Sequence, residues 1–294
     1  RVRAEDPATE WGASLREEHR RAQARERTGL AWLPWRDGEV SQAAVAWVIA
    51  SVFIRFAEDN GLLAGAKRND QIVAQPWFSA PGDGLDRAVE NETAFYSDNP
   101  TRTTRDWMMD AFTTLAELPA GRPLVDPDHS AIWHAPISAT ASDGLLAFFR
   151  RTTPDGSLVH DFSDPTLDTR FLGDLYQDLS EAARKRYALL QTPEFVEEFI
   201  LDRTLTPAIR EFGFREVRMI DPTCGSGHFL LGGFRRLVDE WIQHEPARNP
   251  RDIAQRALDA VAGVDLNPFA VAISRFRLLV AALRVSGVNR LTEA

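Results

Sequence analysis

The chain has 294 residues, 44% of them apolar and 26% charged, which suits one large or two ordinary globular domains and excludes a disordered chain. Its one cysteine, Cys224, excludes an internal disulfide framework and a cysteine-rich zinc site. The net charge of −9 argues against a nucleic-acid partner until it is resolved along the chain: residues 61–170 carry 9 cations against 16 anions, whereas residues 171–294 carry 16 against 17. Apart from Lys67 and Lys185 every cation is arginine, a bias that fits a GC-rich genome better than a phosphate-binding preference. No apolar run approaches the roughly 18 residues of a membrane span. The start, RVRAEDPATEWG, has no apolar signal core and no Met, which reads as a trimmed cytoplasmic chain with no membrane partner.

Residues 12–28 are charge-rich and helix-friendly, a solvated helix face. Residues 41–59 are apolar almost all round and read as a buried helix capped by Ser41 and stopped at Asn60-Gly61. Punctuators across 62–100 suggest loops and short helices, and 101–118 an amphipathic helix. A Pro-rich connector follows, in which His129 and His134 lie near Asp126 and Asp128. The spacing puts no imidazole pair on one helical face, so this reads as a surface loop and no metal is expected. Residues 143–150 look helical, and Ser157–Phe162 looks extended. From Phe171 a dense helical pattern sets in. Thr192 is expected to cap a further helix with Pro193 as its first residue, continuing through Ile209.

The pattern then changes. Val217, Met219 and Ile220 form a short strand ending at Asp221, and Pro222 forbids further ladder pairing. Cys224-Gly225-Ser226-Gly227 make a tight turn, and helical period resumes through Phe229, Leu230 and Phe234. This is the first half of a Rossmann-like βαβ unit. The third Gly of a dinucleotide fingerprint is replaced by Leu230, and a carboxylate ends the strand. A carboxylate is poorly placed beside a phosphate but can receive a cation. S-adenosylmethionine, with an ammonium, a sulfonium and no phosphate, therefore fits better than NAD. A second strand, Ala260–Val264, ends at Asp265, whose carboxylate can accept from two ribose hydroxyls, and a helix follows from about Pro268.

Asp221-Pro222-Thr223-Cys224-Gly225-Ser226-Gly227-His228-Phe229 resembles the first cofactor motif of adenine-N6 DNA methyltransferases. Gln191-Thr192-Pro193 resembles their Thr-Pro motif, and Gly263-Val264-Asp265-Leu266-Asn267-Pro268 their second-strand motif. The stretch from Phe53 to Leu62, FIRFAEDNGL, is similar to the helical N-terminal region of large restriction-modification and phage-defence methylases. Residues 161–284 are most similar to the phage growth limitation methylases of bacteriophage exclusion (BREX type 2) systems. The resemblance implies an α/β fold that is predominantly helical overall: a helical region over 1–165, then an incomplete S-adenosylmethionine-binding domain over 166–294 with about two parallel strands. It implies that Thr192 and Pro193 cover the methionine end, that Asp221 and the turn from Pro222 to Gly227, with Phe229, surround it, and that Asp265, Leu266 and Asn267 hold the ribose and adenine. The implied partner is double-stranded DNA, with other phage-defence subunits or phage inhibitor proteins beside it. The Asn-Pro-Pro-aromatic catalytic motif of these enzymes is missing, since the chain has no Pro-Pro pair. No catalytic residue is therefore assigned, and the chain is expected to be inactive alone.

Overall fold

The computed structural model describes residues 1–68, 70–179 and 192–294. Its elements are α1 (Val2–Glu5), α2 (Glu10–Ala24), α3 (Trp32–Asp59), an antiparallel pair β1 (Lys67–Arg68) and β2 (Gln71–Ile72), α4 (Gly84–Asp98), α5 (Thr104–Glu117), α6 (Ala139–Phe149) and α7 (Phe171–Leu179). Then come α8 (Glu194–Arg203), α9 (Leu205–Phe212), β3 (Met219–Asp221), α10 (His228–His244), α11 (Pro250–Asp259), β4 (Val261–Gly263) and α12 (Pro268–Ser286). Helices dominate and the strands are few and short.

Helix α3 begins nine residues before Ser41. Pro34 sits in its first turn, where a missing N–H breaks no bond. Ser41 is consequently interior, and its hydroxyl donates to the Asp37 carbonyl at 2.8 Å. The helix stops where expected, with Gly61 in the left-handed region at φ +67°. At 28 residues α3 is long and apolar enough to cross a membrane, which corrects the sequence reading. However, 72% of its most apolar window is buried inside the protein. Trp47, Phe53, Ile54 and Phe56 are among its fully buried side chains.

The polar residues that interrupt this helix anchor the loops around it. Arg55, fully buried, donates to both Asp59 carboxylate oxygens (2.9 and 2.7 Å), to Ser79 Oγ, and to the carbonyls of Phe149 and His160 (both 2.9 Å). Glu58 accepts from the backbone N–H groups of Trp77, Phe78 and Ser79. Asp59 accepts from Phe162 N, and Asn60 bonds both the Phe162 carbonyl and Asp164 N. Burial pushes the Glu58 carboxyl up to about 8, against the lowering effect of those N–H groups and of Arg55. A carboxyl raised above its unfolded value contributes stability that is complete below about pH 4.5 and is lost as pH rises towards 8. Wild-type stability should therefore fall by a few kcal/mol between pH 5 and 8 relative to Glu58→Gln, whose amide does not titrate. Parallel slopes in urea unfolding of the two proteins across that window would disprove it.

Three further expectations are corrected. Residues 62–100 include the 15-residue helix α4, held by Asn91 donating to the Pro76 carbonyl and by the Arg150–Glu92 ion pair. The extended stretch at Ser157–Phe162 shows one isolated bridge, Thr152 to Leu158, in place of a strand. The helix expected from Pro193 through Ile209 breaks at Thr204, because Pro207 lacks an N–H and its ring clashes with the carbonyl four residues back, at Arg203. The helical pattern expected from Phe171 is seen over Phe171–Leu179, and its remainder, 180–191, lies outside the described residues.

Strands β3 and β4 pair in parallel, with Met219, Ile220 and Asp221 opposite Val261, Ala262 and Gly263. Helices α10 and α11 make the crossover. One core gathers α3, α5, α6 and Leu172 of α7. A second gathers α8 to α11 around Phe234, Leu237 and Trp241. Helix α12 enters both: Phe276 stacks on Phe53 with ring centroids 4.5 Å apart, while Ala282 packs with the second core.

Candidate functional site

The carboxyl ends of β3 and β4 carry the turn. Backbone bonds clamp the strand ends together: Val264 N donates to the Asp221 carbonyl (2.9 Å), and Cys224 N to the Val264 carbonyl (3.0 Å). Asp221 Oδ1 accepts from Thr223 N at 3.0 Å, which closes the turn behind Pro222. Gly225 and Gly227 lie at φ +53° and +87°, where side chains are strained. A Cβ on Gly225 would meet nothing within 4 Å, so this side of the turn is open to a ligand. One on Gly227 would stand 2.4 Å from Ser274 Oγ. Gly263 is tight as well, with Leu230 and Cys224 closing on it. Cys224 is buried, and burial with Asp221 and Asp265 nearby raises its thiol to about 11, so it packs and does not react.

The two halves of the motif meet through Asp265. Its Oδ2 accepts from Gly225 N (2.9 Å) and its Oδ1 from Asn267 N (2.8 Å). Both oxygens already hold the turn, and each keeps a second lone pair for a diol. Leu266 is 92% exposed beside it. Asn267 is fully buried and caps α12 by accepting from Phe269 N at 3.0 Å, so it shapes the loop from within. Phe229 lines an apolar groove of about 500 Å³ between β3 and α8–α9, bordered also by Asp221 and Pro222. Ser226 is half-buried, and its carbonyl accepts from Arg277 at 2.7 Å.

Thr192 lies one residue further from its helix than expected. Pro193 is the cap, with no side-chain cap bond, and its carbonyl accepts from Val196 and Glu197 N. Thr192 and Pro193 face a small cavity that also meets His228 at the start of α10 and Arg277 of α12. Those last two residues escaped the sequence reading. Burial, Arg277 and Arg170 push His228 down to about 4, leaving its imidazole neutral at pH 7. Burial lowers Arg277 to about 10, still protonated there. The readable signal for Arg277 is a cation set between the apolar Phe276 and Leu278.

The His129 ring pairs with Asp126 at 2.9 Å. Among the described residues no group of three or more metal-ligating side chains forms.

No protein-family model matches the chain. It is 50% identical, over 295 residues and 97% of its own length, to the protein named adenine-specific methyltransferase PglX of Streptomyces coelicolor, and it spans 23% of that relative's length. Over 97% of its length the chain is similar to the N-terminal portion of a PglX adenine-specific methyltransferase.

Proposed function

We propose that these residues form the cofactor-binding half of an S-adenosylmethionine-dependent DNA methyltransferase that modifies adenine N6 in a BREX-type phage-defence system. The observation that carries the reading is the strand-end constellation. Asp221 ends β3, Asp265 lies two residues past the end of its parallel neighbour β4, and Asp265 is bonded directly to the glycine turn at Gly225 N. The residues fit the cofactor. The turn is open at Gly225, and the first-turn N–H groups of α10 lack intrahelical acceptors. When bound, S-adenosylmethionine supplies an electrophilic methyl group. Asp221 and the turn hold its amino-acid end, Asp265 its ribose, Leu266 its adenine, and Thr192 and Pro193 cover it. The chain has no Pro-Pro pair, so the motif that grips the flipped adenine is supplied from outside these residues. Double-stranded DNA is the substrate, the cytoplasm the place of action, and other defence subunits or phage inhibitor proteins the further partners.

Calorimetric titration with S-adenosylmethionine should show binding that Asp265→Ala weakens at least tenfold, the loss of charge-assisted hydrogen bonds to the ligand. No binding to the wild-type protein would sink the cofactor assignment. Long-read modification mapping of DNA from cells with and without the gene tests the reaction itself, and the reading fails if no adenine mark depends on the gene.

A further inference from the structure

Gly227 N donates to the Cys224 carbonyl at 2.8 Å, which puts Gly225 and Ser226 at the corners of the glycine turn. Cys224 N goes to the Val264 carbonyl, and Gly225 N to Asp265 Oδ2. From Cys224 to Gly227, only Ser226 keeps a backbone N–H with no partner among the described residues. That N–H belongs to the peptide unit between the two corners. Gly225 has no Cβ and takes either sign of φ at little cost, so its own sterics do not stop this unit from reversing. The unit is held from both sides instead. Asp265 grips the Gly225 side through the Gly225 N–H, and Arg277 grips the Ser226 side by donating to the Ser226 carbonyl at 2.7 Å. Arg277 is 3% exposed, with Asp168 and Glu197 answering its charge. A charge-assisted hydrogen bond of this kind is about twice as strong as a neutral one, and no solvent competes for it here. Ser274, one turn earlier in α12, closes on Gly227, where a Cβ would stand 2.4 Å from its Oγ. One helix thus fixes the turn with two side chains and leaves Gly225 open, where a Cβ would meet nothing within 4 Å.

We propose that Arg277 is a positioning residue for cofactor binding: it holds the central peptide of the turn so that the Ser226 N–H stays available to the ligand, an assignment that rests on the cofactor reading above. Arg277 acts through the Ser226 carbonyl and touches no ligand itself. Without the guanidinium the backbone remains connected, but the peptide between two flexible corners samples orientations in which its N–H is withdrawn. Apparent affinity then falls by the fraction of molecules that keep the competent orientation.

The test is calorimetric titration with S-adenosylhomocysteine. Arg277→Met should weaken binding about tenfold or more, the loss of a hydrogen bond from a charged group. Arg277→Lys keeps the charge and a donor and should recover part of the lost affinity. Val280→Ala is the control. Val280 is 1% exposed in the first core, one turn beyond Arg277, and its truncation loosens α12 without touching the turn. It should change the affinity less than about twofold. Equal weakening by Arg277→Met and Val280→Ala would mean that Arg277 only keeps the helix in place. A Lys variant no better than Met would mean that its donor is not used. Wild-type affinity in Arg277→Met would mean that the turn needs no such hold. Each of these overturns the proposal and leaves the cofactor reading standing. If Arg277→Met does not fold, wild-type protein decides: saturation with S-adenosylhomocysteine should slow amide exchange at Ser226 about tenfold or more, and binding without that slowing overturns the proposal alone. No binding to wild type removes both.

Discussion

Arg55→Ala should cost about 3–5 kcal/mol, the usual penalty for breaking a buried ion pair by removing one partner. Arg55 is fully buried and spans four segments of the chain: its own helix through Asp59, the loop at Ser79, the end of α6 at Phe149, and the strap at His160. Its loss strands the buried Asp59 carboxylate and two carbonyls, and leaves a cavity beside the Phe162 ring, over which the guanidinium sits at 5.7 Å. Against a total stability of about 5–15 kcal/mol the variant should be barely folded at 37 °C. Arg55→Met combined with Asp59→Asn should recover much of the loss. It removes both charges, fills most of the space, and keeps an acceptor for Phe162 N. Urea unfolding of the single and double variants measures this. An Arg55→Ala midpoint shift worth less than about 1 kcal/mol would show that the network is not under the load the geometry assigns it.

The second large effect is at the turn, where two neighbouring glycines should respond in opposite ways. Gly227→Ala places a Cβ 2.4 Å from Ser274 Oγ and 3.2 Å from Ser274 Cα, at φ +87°. Backbone strain and overpacking together should cost about 2–4 kcal/mol and distort the start of α10. Gly225→Ala meets no atom within 4 Å, at φ +53°. It should cost only about 1–2 kcal/mol, yet block ligand approach on the open side and weaken S-adenosylmethionine binding more than tenfold. Thermal unfolding and calorimetric titration separate the two effects. If Gly225→Ala binds the cofactor like wild type, the open side of the turn is not where the ligand lies.

Local chemistry made much of the site-bearing segment legible. Pro222 and the Gly-rich turn had to end β3, and Asn267 and Pro268 had to start α12, because each terminates or caps regardless of distant neighbours. What escaped depended on tertiary partners or on weak local terms. Helix α3 ran back through Gly38 to Trp32 because Trp35 finds a small core with Ala4 and Leu15, which no periodicity reveals. Helix α4 is polar enough to pass for loop and depends on Arg150 from 58 residues away. The break at Thr204 is legible in Thr206-Pro207, which repeats the Thr-Pro pattern read as a helix start at Thr192. Arg277 was invisible as a residue of the turn because its role is tertiary: its guanidinium donates to the Ser226 carbonyl, 51 residues away in sequence.

The stacking of Phe53 on Phe276 bears on how far this chain is modular. The two rings are separated by more than two hundred residues of sequence, and β1 to β4 all lie between them. The residue after Phe276 is Arg277, which grips the turn at Ser226. No cut in the chain from Asn60 to Pro268 therefore yields two pieces with finished surfaces, since each would carry one half of an aromatic pair and an open face of α3 or α12. Exchange of the helical region between relatives has to carry complementary rings at both positions. A change at Phe53, far from any cofactor residue in sequence, acts one peptide unit away from the side chain that fixes the shape of the turn.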